Sequence, residues 1–231
     1  MGGYLAILDE TLNAIGDAVR AKANLSGDLS IQEMIAAINS IIVHTNEDID
    51  GIIMRTSEII ESNTAQYVAD YAFFGNPSIR TVVLPNATMV GNYAFCDCVN
   101  LERISTGATE IGAYAFYGCD ELNEILFSQN LSSIGVAAFD GCSSLECVDL
   151  RGTSVLNILP SAFADSGLRE LWLPGDRFCM LTNASAFTNS PLAQDGPGGI
   201  IHLPRKYRVE YEANTIWAKI LGNGTNRVVA Y

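Results

Sequence analysis

The dipeptide Ala-Phe stands at Ala72-Phe73, Ala94-Phe95, Ala115-Phe116, Ala138-Phe139, Ala162-Phe163 and Ala186-Phe187, and nowhere else in the chain. Successive copies are 22, 21, 23, 24 and 24 residues apart. A regular period in the low twenties means that one supersecondary unit is stacked on the next, each burying a face that it could not bury alone. That constraint decides the architecture, and it points away from an enzyme.

The rest of each unit repeats with the pair. A small residue lies three positions after each phenylalanine: Asn76, Cys98, Cys119, Cys142, Ser166 and Ser190. A leucine-like residue follows at Ile79, Leu101, Leu122, Leu145, Leu168 and Leu192, and then two alternating positions at Val82/Leu84, Ile104/Thr106, Ile125/Phe127, Val148/Leu150 and Leu171/Leu173. Alternation over four or five residues, bounded by Pro, Gly and Asn, predicts a short strand with one buried face. The stretch around Ala-Phe is too short for a long helix and reads as one helical or 3₁₀ turn. The phenylalanines then form one internal column and the leucine-like residues another. The expected fold class is an α/β repeat, a solenoid of short parallel strands with an N-terminal helical hairpin and a C-terminal cap.

Three regions flank the array. Residues 1–42 are expected to form a helical hairpin for attachment or oligomerisation. Its first helix carries Leu8, Leu12, Ile15 and Val19, and its second opens on the capping box Ser30-x-x-Glu33 and lines Met34, Ile35, Ile38 and Ile41 on one face. Residues 43–192 form the solenoid, beginning with an irregular N-terminal capping repeat. Residues 193–231 form a C-terminal cap with a strand at Ile200 to Pro204 and a helix from Tyr207 to Ile220.

Composition narrows the function. There are 26 acidic and 13 basic residues, a formal net charge of −13, and nucleic-acid affinity rests on neutralising phosphates with Lys and Arg. No run approaches the ~20 apolar residues that span a bilayer, and no basic segment leads into an apolar signal core. No nucleic-acid partner, membrane insertion or cofactor is therefore expected, and synthesis in a cytoplasm is. Cys98, Cys119 and Cys142 share one repeat position with Asn76 and Ser166. They read as a column of small side chains whose S–H groups meet turn carbonyls, rather than as a metal site or disulfides.

The unit Ala-Phe-x-Gly-Cys-x-x-Leu-x-x-Ile-x-Leu-Pro followed by Ile-Gly, over roughly residues 65–192, resembles the BspA-like (treponemal type) leucine-rich repeats. The flanks are similar to phage and prophage tail proteins of gut Firmicutes. The leader does so through Leu12-Asn13-Ala14-Ile15-Gly16-Asp17-Ala18-Val19-Arg20-Ala21-Lys22 with Met34 and Ile38. The end does so through Ile201-His202-Leu203-Pro204, Tyr211 and Asn214-Thr215-Ile216-Trp217. Arg205, Lys206 and Arg208 depart from the acidic and small residues usual before that tryptophan. The resemblance implies a virion-associated tail or adhesion module. Its partners would be a host cell-surface protein or glycan, and tail or baseplate proteins bound through the hairpin, with a homotrimer one possible assembly. The alternative is a bacterial leucine-rich-repeat interaction or adhesion protein of the cytoplasm or cell surface, unrelated to a virion.

If the alternating residues point inward, those between them form an outward ribbon: Thr81/Val83, Arg103/Ser105, Glu124/Leu126, Cys147/Asp149, Glu170/Trp172 and Ile200/His202. The ligand-binding candidates on it are Trp172, His202, Asp149, Glu170, Leu126, Glu124 and Arg103. A solvent-side Trp with a carboxylate and an imidazole on adjacent rungs suits stacking on a sugar and bonding its hydroxyls. The competing reading packs Trp172 beneath the C-terminal cap and makes Arg103–Glu124 an ordinary cross-strand pair. Catalysis finds no nucleophile beside a base. Asp149 and Glu170 could pair as the carboxylates of a glycosidase, but acidic pairs are common in a chain with 26 acidic residues.

Overall fold

The computed structural model describes residues 58–193, 196–222 and 226–231, all within one compact unit, Thr56–Tyr231. The hairpin expected at residues 1–42, and the part of the capping repeat before residue 58, lie outside the described residues.

Each repeat contributes a front strand and a shorter back strand. The front strands are β1 (Ile59–Glu61), β3 (Thr81–Leu84), β5 (Arg103–Thr106), β7 (Glu124–Leu126), β9 (Cys147–Asp149), β11 (Glu170–Trp172) and β13 (Ile200–Leu203), closed by β14 (Arg227–Ala230). The back strands are β2 (Tyr67–Val68), β4 (Met89–Val90), β6 (Glu110–Ile111), β8 (Ser133–Ile134), β10 (Asn157–Ile158) and β12 (Met180–Leu181). All pairing is parallel, and the register places Val82 beside Ile104, Ile104 beside Ile125, and Trp172 between Asp149 and His202. The described residues thus form parallel ladders with few helices, as a leucine-rich-repeat fold requires.

Between the ladders lies the core. Phe73, Phe95, Phe116, Phe139, Phe163 and Phe187 stack in order, with ring centroids 5.0, 5.3, 5.2, 5.4 and 6.0 Å apart and planes within 10°. Stacked pairs of this kind contribute about 0.5–1.5 kcal/mol beyond area burial. Beside them Cys98, Cys119 and Cys142 each direct the thiol to the carbonyl of the phenylalanine one repeat back, at 3.0, 3.1 and 3.2 Å. Ser166 and Ser190 occupy the same position but donate to Phe163 and Phe187 of their own repeat, both at 2.7 Å.

The Ala-Phe segment corrects one expectation. It is a 3₁₀ turn only in the last copy, Ala184–Phe187. In the other five, the residue before Ala-Phe has a left-handed backbone: Tyr71, Tyr93, Tyr114, Ala137 and Ser161 lie at φ +50 to +60. Two residues after each phenylalanine the backbone turns left-handed again, at Gly75, Asp97, Gly118, Gly141, Asp165 and Asn189. A left-handed residue cannot continue a right-handed helix. The backbone groups bond across repeats instead, as in Phe73 N–H to Ala94 O at 2.7 Å and Gly75 N–H to Cys96 O at 2.7 Å.

The cap departs from expectation twice. The helix expected over Tyr207 to Ile220 is two helices, α1 (Arg208–Ala213) and α2 (Thr215–Leu221), after a 3₁₀ turn at Arg205–Tyr207. Asn214 divides them: its backbone is extended and its side chain accepts from the N–H groups of Ile216 and Trp217, an N-cap in mid-segment. Strand β14 was not expected at all. It pairs with β13 from Ile200↔Arg227 to Leu203↔Ala230 and extends the front ladder by one rung.

The front ladder is interrupted once among the described residues. Sheets β1-β3-β5-β7 and β9-β11-β13-β14 do not join, whereas the back ladder runs unbroken from β2 to β12. Elsewhere one carbonyl commonly takes two N–H groups of the next rung, as Arg80 O does from Glu102 and Arg103, and Glu146 O from Arg169 and Glu170. The corresponding bonds from Glu146 and Cys147 to Asn123 O are missing. The connection between front and back strand lengthens at this point. Counted from the first residue of the front strand, the back strand starts eight and seven residues on for β3 and β5, at positions 89 and 110, but nine for β7 and ten for β9, at positions 133 and 157.

Candidate functional site

The C-terminal half of the front ladder gathers an aromatic and charged cluster. Because β11 lies between β9 and β13, outward side chains on the three strands stand side by side. Trp172 and His202 stack with ring centroids 3.4 Å apart and planes parallel. On the β9 side the Arg151 guanidinium sits over the Trp172 ring, 4.2 Å from its centroid. The indole is thus held between an imidazole and a guanidinium. Tyr231 closes the end, its ring 5.6 Å from Trp172 and its hydroxyl donating to Leu173 O at 2.6 Å.

Two carboxylates frame the stack. Arg151 donates to Asp149 in a fork, Nε to Oδ1 at 3.0 Å and Nη2 to Oδ2 at 2.6 Å. That hydrogen bonding, above all, holds the Asp149 carboxyl below the usual carboxylate range. Glu170 Oε1 lies 2.7 Å from His202 Nε2, so this nitrogen carries the proton and donates to the carboxylate. His202 is 7% exposed and its Nδ1 has no hydrogen-bond partner among the described residues. Burial, followed by Glu170, pushes the exposed Cys147 thiol up.

The cluster brings together four of the expected residues: Trp172, His202, Asp149 and Glu170. It does not include the other three. Arg103, Glu124 and Leu126 lie across the interruption, on β5 and β7. There Arg103 Nε approaches Glu124 Oε2 at 3.8 Å, both side chains more than half exposed, and Leu126 is 57% exposed. Sequence reasoning missed Arg151 and Tyr231. Arg151 stands two residues beyond Asp149 on the same outward alternation, a signal that was readable; Tyr231 depends on β14, which was not.

Chemically the cluster is a rigid, half-exposed plate with fixed charges. Asp149 is bound to Arg151 and Glu170 to His202, so each carboxylate is already engaged. The indole faces are covered by His202 and Arg151, so a sugar could stack on Trp172 only by displacing the guanidinium. Among the described residues no three His, Cys, Asp or Glu side chains are placed to hold a metal ion, and no helix is long and apolar enough to cross a membrane.

A family model described as a BspA type leucine-rich repeat region, in six copies, matches residues 54–169 and again 88–194. A leucine-rich repeat protein from Bacteroides ovatus has a crystal structure similar to this one at TM-score 0.53 and 20% identity, covering 75% of this chain and 41% of that one. This chain therefore spans less than half of that relative. Weaker likenesses are to the T. pallidum leucine-rich repeat protein, at TM-score 0.39, 26% identity and coverages of 51% and 70%. A leucine-rich cell surface protein from Faecalibacterium prausnitzii gives 0.38, 21%, 58% and 47%. No curated protein sequence matches the chain.

Proposed function

The chain belongs to the BspA-type leucine-rich repeat family, and from that premise we propose that it is a non-enzymatic binding module whose ligand docks on the outward face of the front ladder. The observation that carries this reading is the Arg151–Trp172–His202 stack, framed by Asp149 and Glu170 on three adjacent rungs. Structure of this kind lowers the cost of binding because few rotamers remain to be frozen. Trp and Arg are also the side chains that most often dominate interfaces. The ligand is a protein or glycan surface feature with hydrogen-bonding groups for the two carboxylates and the guanidinium.

We place this module on a phage or prophage tail, where it recognises a host surface ligand and is attached by its N-terminal segment. The support is the likeness of residues 12–22 and 201–217 to tail proteins. Mass spectrometry of purified particles tests the placement. Absence of the chain from particles, with presence in the bacterial cell or at its surface, would instead favour the cellular adhesion reading.

The binding site is tested by Trp172→Ala and, as a milder change, Trp172→Phe, with adsorption to host cells as readout. Loss of an interface tryptophan costs about 2 kcal/mol or more, roughly thirtyfold in affinity, and Trp172→Phe keeps part of it. Unchanged adsorption by a folded Trp172→Ala protein would overturn the site.

A further inference from the structure

The interruption between β7 and β9 exposes residues that every other rung hides. The first inward position of the front strands is 1% exposed or less at Ile60, Val82, Ile104, Val148, Leu171 and Ile201, but Ile125 is half-buried. At the second inward position, Leu84, Thr106, Leu150, Leu173 and Leu203 are at most 4% exposed, whereas Phe127 is half-buried, its ring edge-on to Phe139 at 6.0 Å. Leu126 stands outward beside them at 57% exposure. Three consecutive apolar side chains therefore reach solvent at one place on the front face.

The same place holds unpaired backbone. Glu124 N–H bonds back to Glu102 O, so by the alternation of a parallel ladder Ile125 directs its N–H and C=O forward, toward β9. No rung meets it there, and the N–H groups of Glu146 and Cys147 lack the Asn123 carbonyl that their position calls for. Such groups retain hydrogen-bonding capacity for an incoming chain.

Charge selects the partner. Glu124 on β7 and Glu146 just before β9 are exposed at the gap, and Glu121 is exposed in the turn before β7; of these three, only Glu124 has an ion-pair partner among the described residues, Arg103, at 3.8 Å. The chain as a whole carries −13, which adds a long-range attraction for cations.

We propose that this gap is a docking surface for an extended segment of a protein partner that presents one large apolar side chain between basic residues. The apolar side chain rests on Ile125, Leu126 and Phe127, the basic ones face Glu121, Glu124 and Glu146, and the backbone bonds the open edge of β7. The proposal rests on the reading of the front ladder as the binding face and adds to the Trp172 cluster a second docking surface on that ladder, with its partner's chemistry named.

The test uses the full chain and three fluorescein-labelled nonapeptides. One has a central Phe flanked by Lys, one has Glu in place of Lys, and one keeps Lys but replaces Phe by Ser. The expected result is saturable binding of the Lys/Phe peptide, with each of the other two at least about tenfold weaker. Leu126→Lys, at an exposed position that tolerates the change, lowers affinity for the Lys/Phe peptide by about tenfold or more, while Val209→Lys, the same change at a 75% exposed position of the cap, leaves it unchanged. Bound peptide slows hydrogen exchange at the Ile125, Glu146 and Cys147 amides. Equal binding of the Phe and Ser peptides, binding of none, or full affinity in the Leu126→Lys protein would overturn the proposal. If peptide binding holds but Trp172→Ala leaves host adsorption intact, the Trp172 site falls and the gap stands.

Discussion

Asp140 shows how a single side chain feels the stack. It follows Phe139, is half-buried, and has Asp165 of the next repeat as its acidic neighbour. Burial first, and Asp165 second, push its carboxyl up to about 6. A carboxyl raised above its ordinary 3.8 binds its proton more tightly when folded, so the folded state loses stability as pH climbs from about 4 through about 6. Asn cannot ionise. Asp140→Asn is therefore expected to leave the melting temperature unchanged at pH 4 and to raise it above the parent at pH 7. A difference of equal size at both pH values would show that ionisation is not the cause. The cysteines illustrate what was legible at this scale. That Cys98, Cys119 and Cys142 alternate with Asn and Ser at one repeat position was enough to predict thiols bonded to turn carbonyls, and the contacts to Phe73, Phe95 and Phe116 are those. The left-handed tyrosines were not legible, because a bulky residue at φ near +60 is tolerated only where the repeat itself imposes it. There the rings of Tyr71, Tyr93 and Tyr114 stack 4.9 and 4.8 Å apart.

The strands owe their register to glycine as much as to leucine. A Cβ on Gly135, just beyond β8, would stand 2.6 Å from the carbonyl carbon and oxygen of Gly112, and one on Gly112 would stand 2.7 Å from the Asn92 nitrogen. The backbones of successive repeats touch there, and backbone cannot step aside. Gly135→Ala is expected to cost about 1–3 kcal/mol in urea denaturation, as overpacking does. Gly152→Ala, where a Cβ meets nothing within 4 Å, should stay within about 0.5 kcal/mol of the parent. Equal effects would remove close approach as the reason. The front strands were readable because a period of two and a period near twenty-two coincide in the same residues. The cap was not, since its two features depend on context. Asn214 ends one helix and starts the next only through its side chain, and β14 becomes a strand because β13 offers an open edge to it.

At the scale of the whole molecule, the interruption sets what couples the two ends of the array. A repeat protein's stability is approximately the sum of its units and their nearest-neighbour interfaces. Every other boundary between neighbouring front strands shares front-ladder hydrogen bonds; the one between β7 and β9 does not. Across it, the coupling passes to the back ladder, where β8 pairs with both β6 and β10, to turn hydrogen bonds such as Phe116 N–H to Ala138 O at 2.8 Å and Ser144 N–H to Asp120 O at 3.0 Å, and to Phe139, stacked 5.2 Å from Phe116 and 5.4 Å from Phe163. Removing that ring should therefore do more than leave a cavity worth about 3–5 kcal/mol. The molecule carries only two tryptophans, Trp172 and Trp217, both beyond the interruption, so their fluorescence reports the C-terminal block alone. Hydrogen exchange at β3 and β5 reports the N-terminal block. In the parent chain the two probes are expected to follow one urea transition. In Phe139→Ala they should separate into two, whereas Phe187→Ala, at the capped end, should weaken the protein and keep them coincident. Coincident transitions in Phe139→Ala would mean that the back ladder and the turn hydrogen bonds carry the coupling across the gap without the ring.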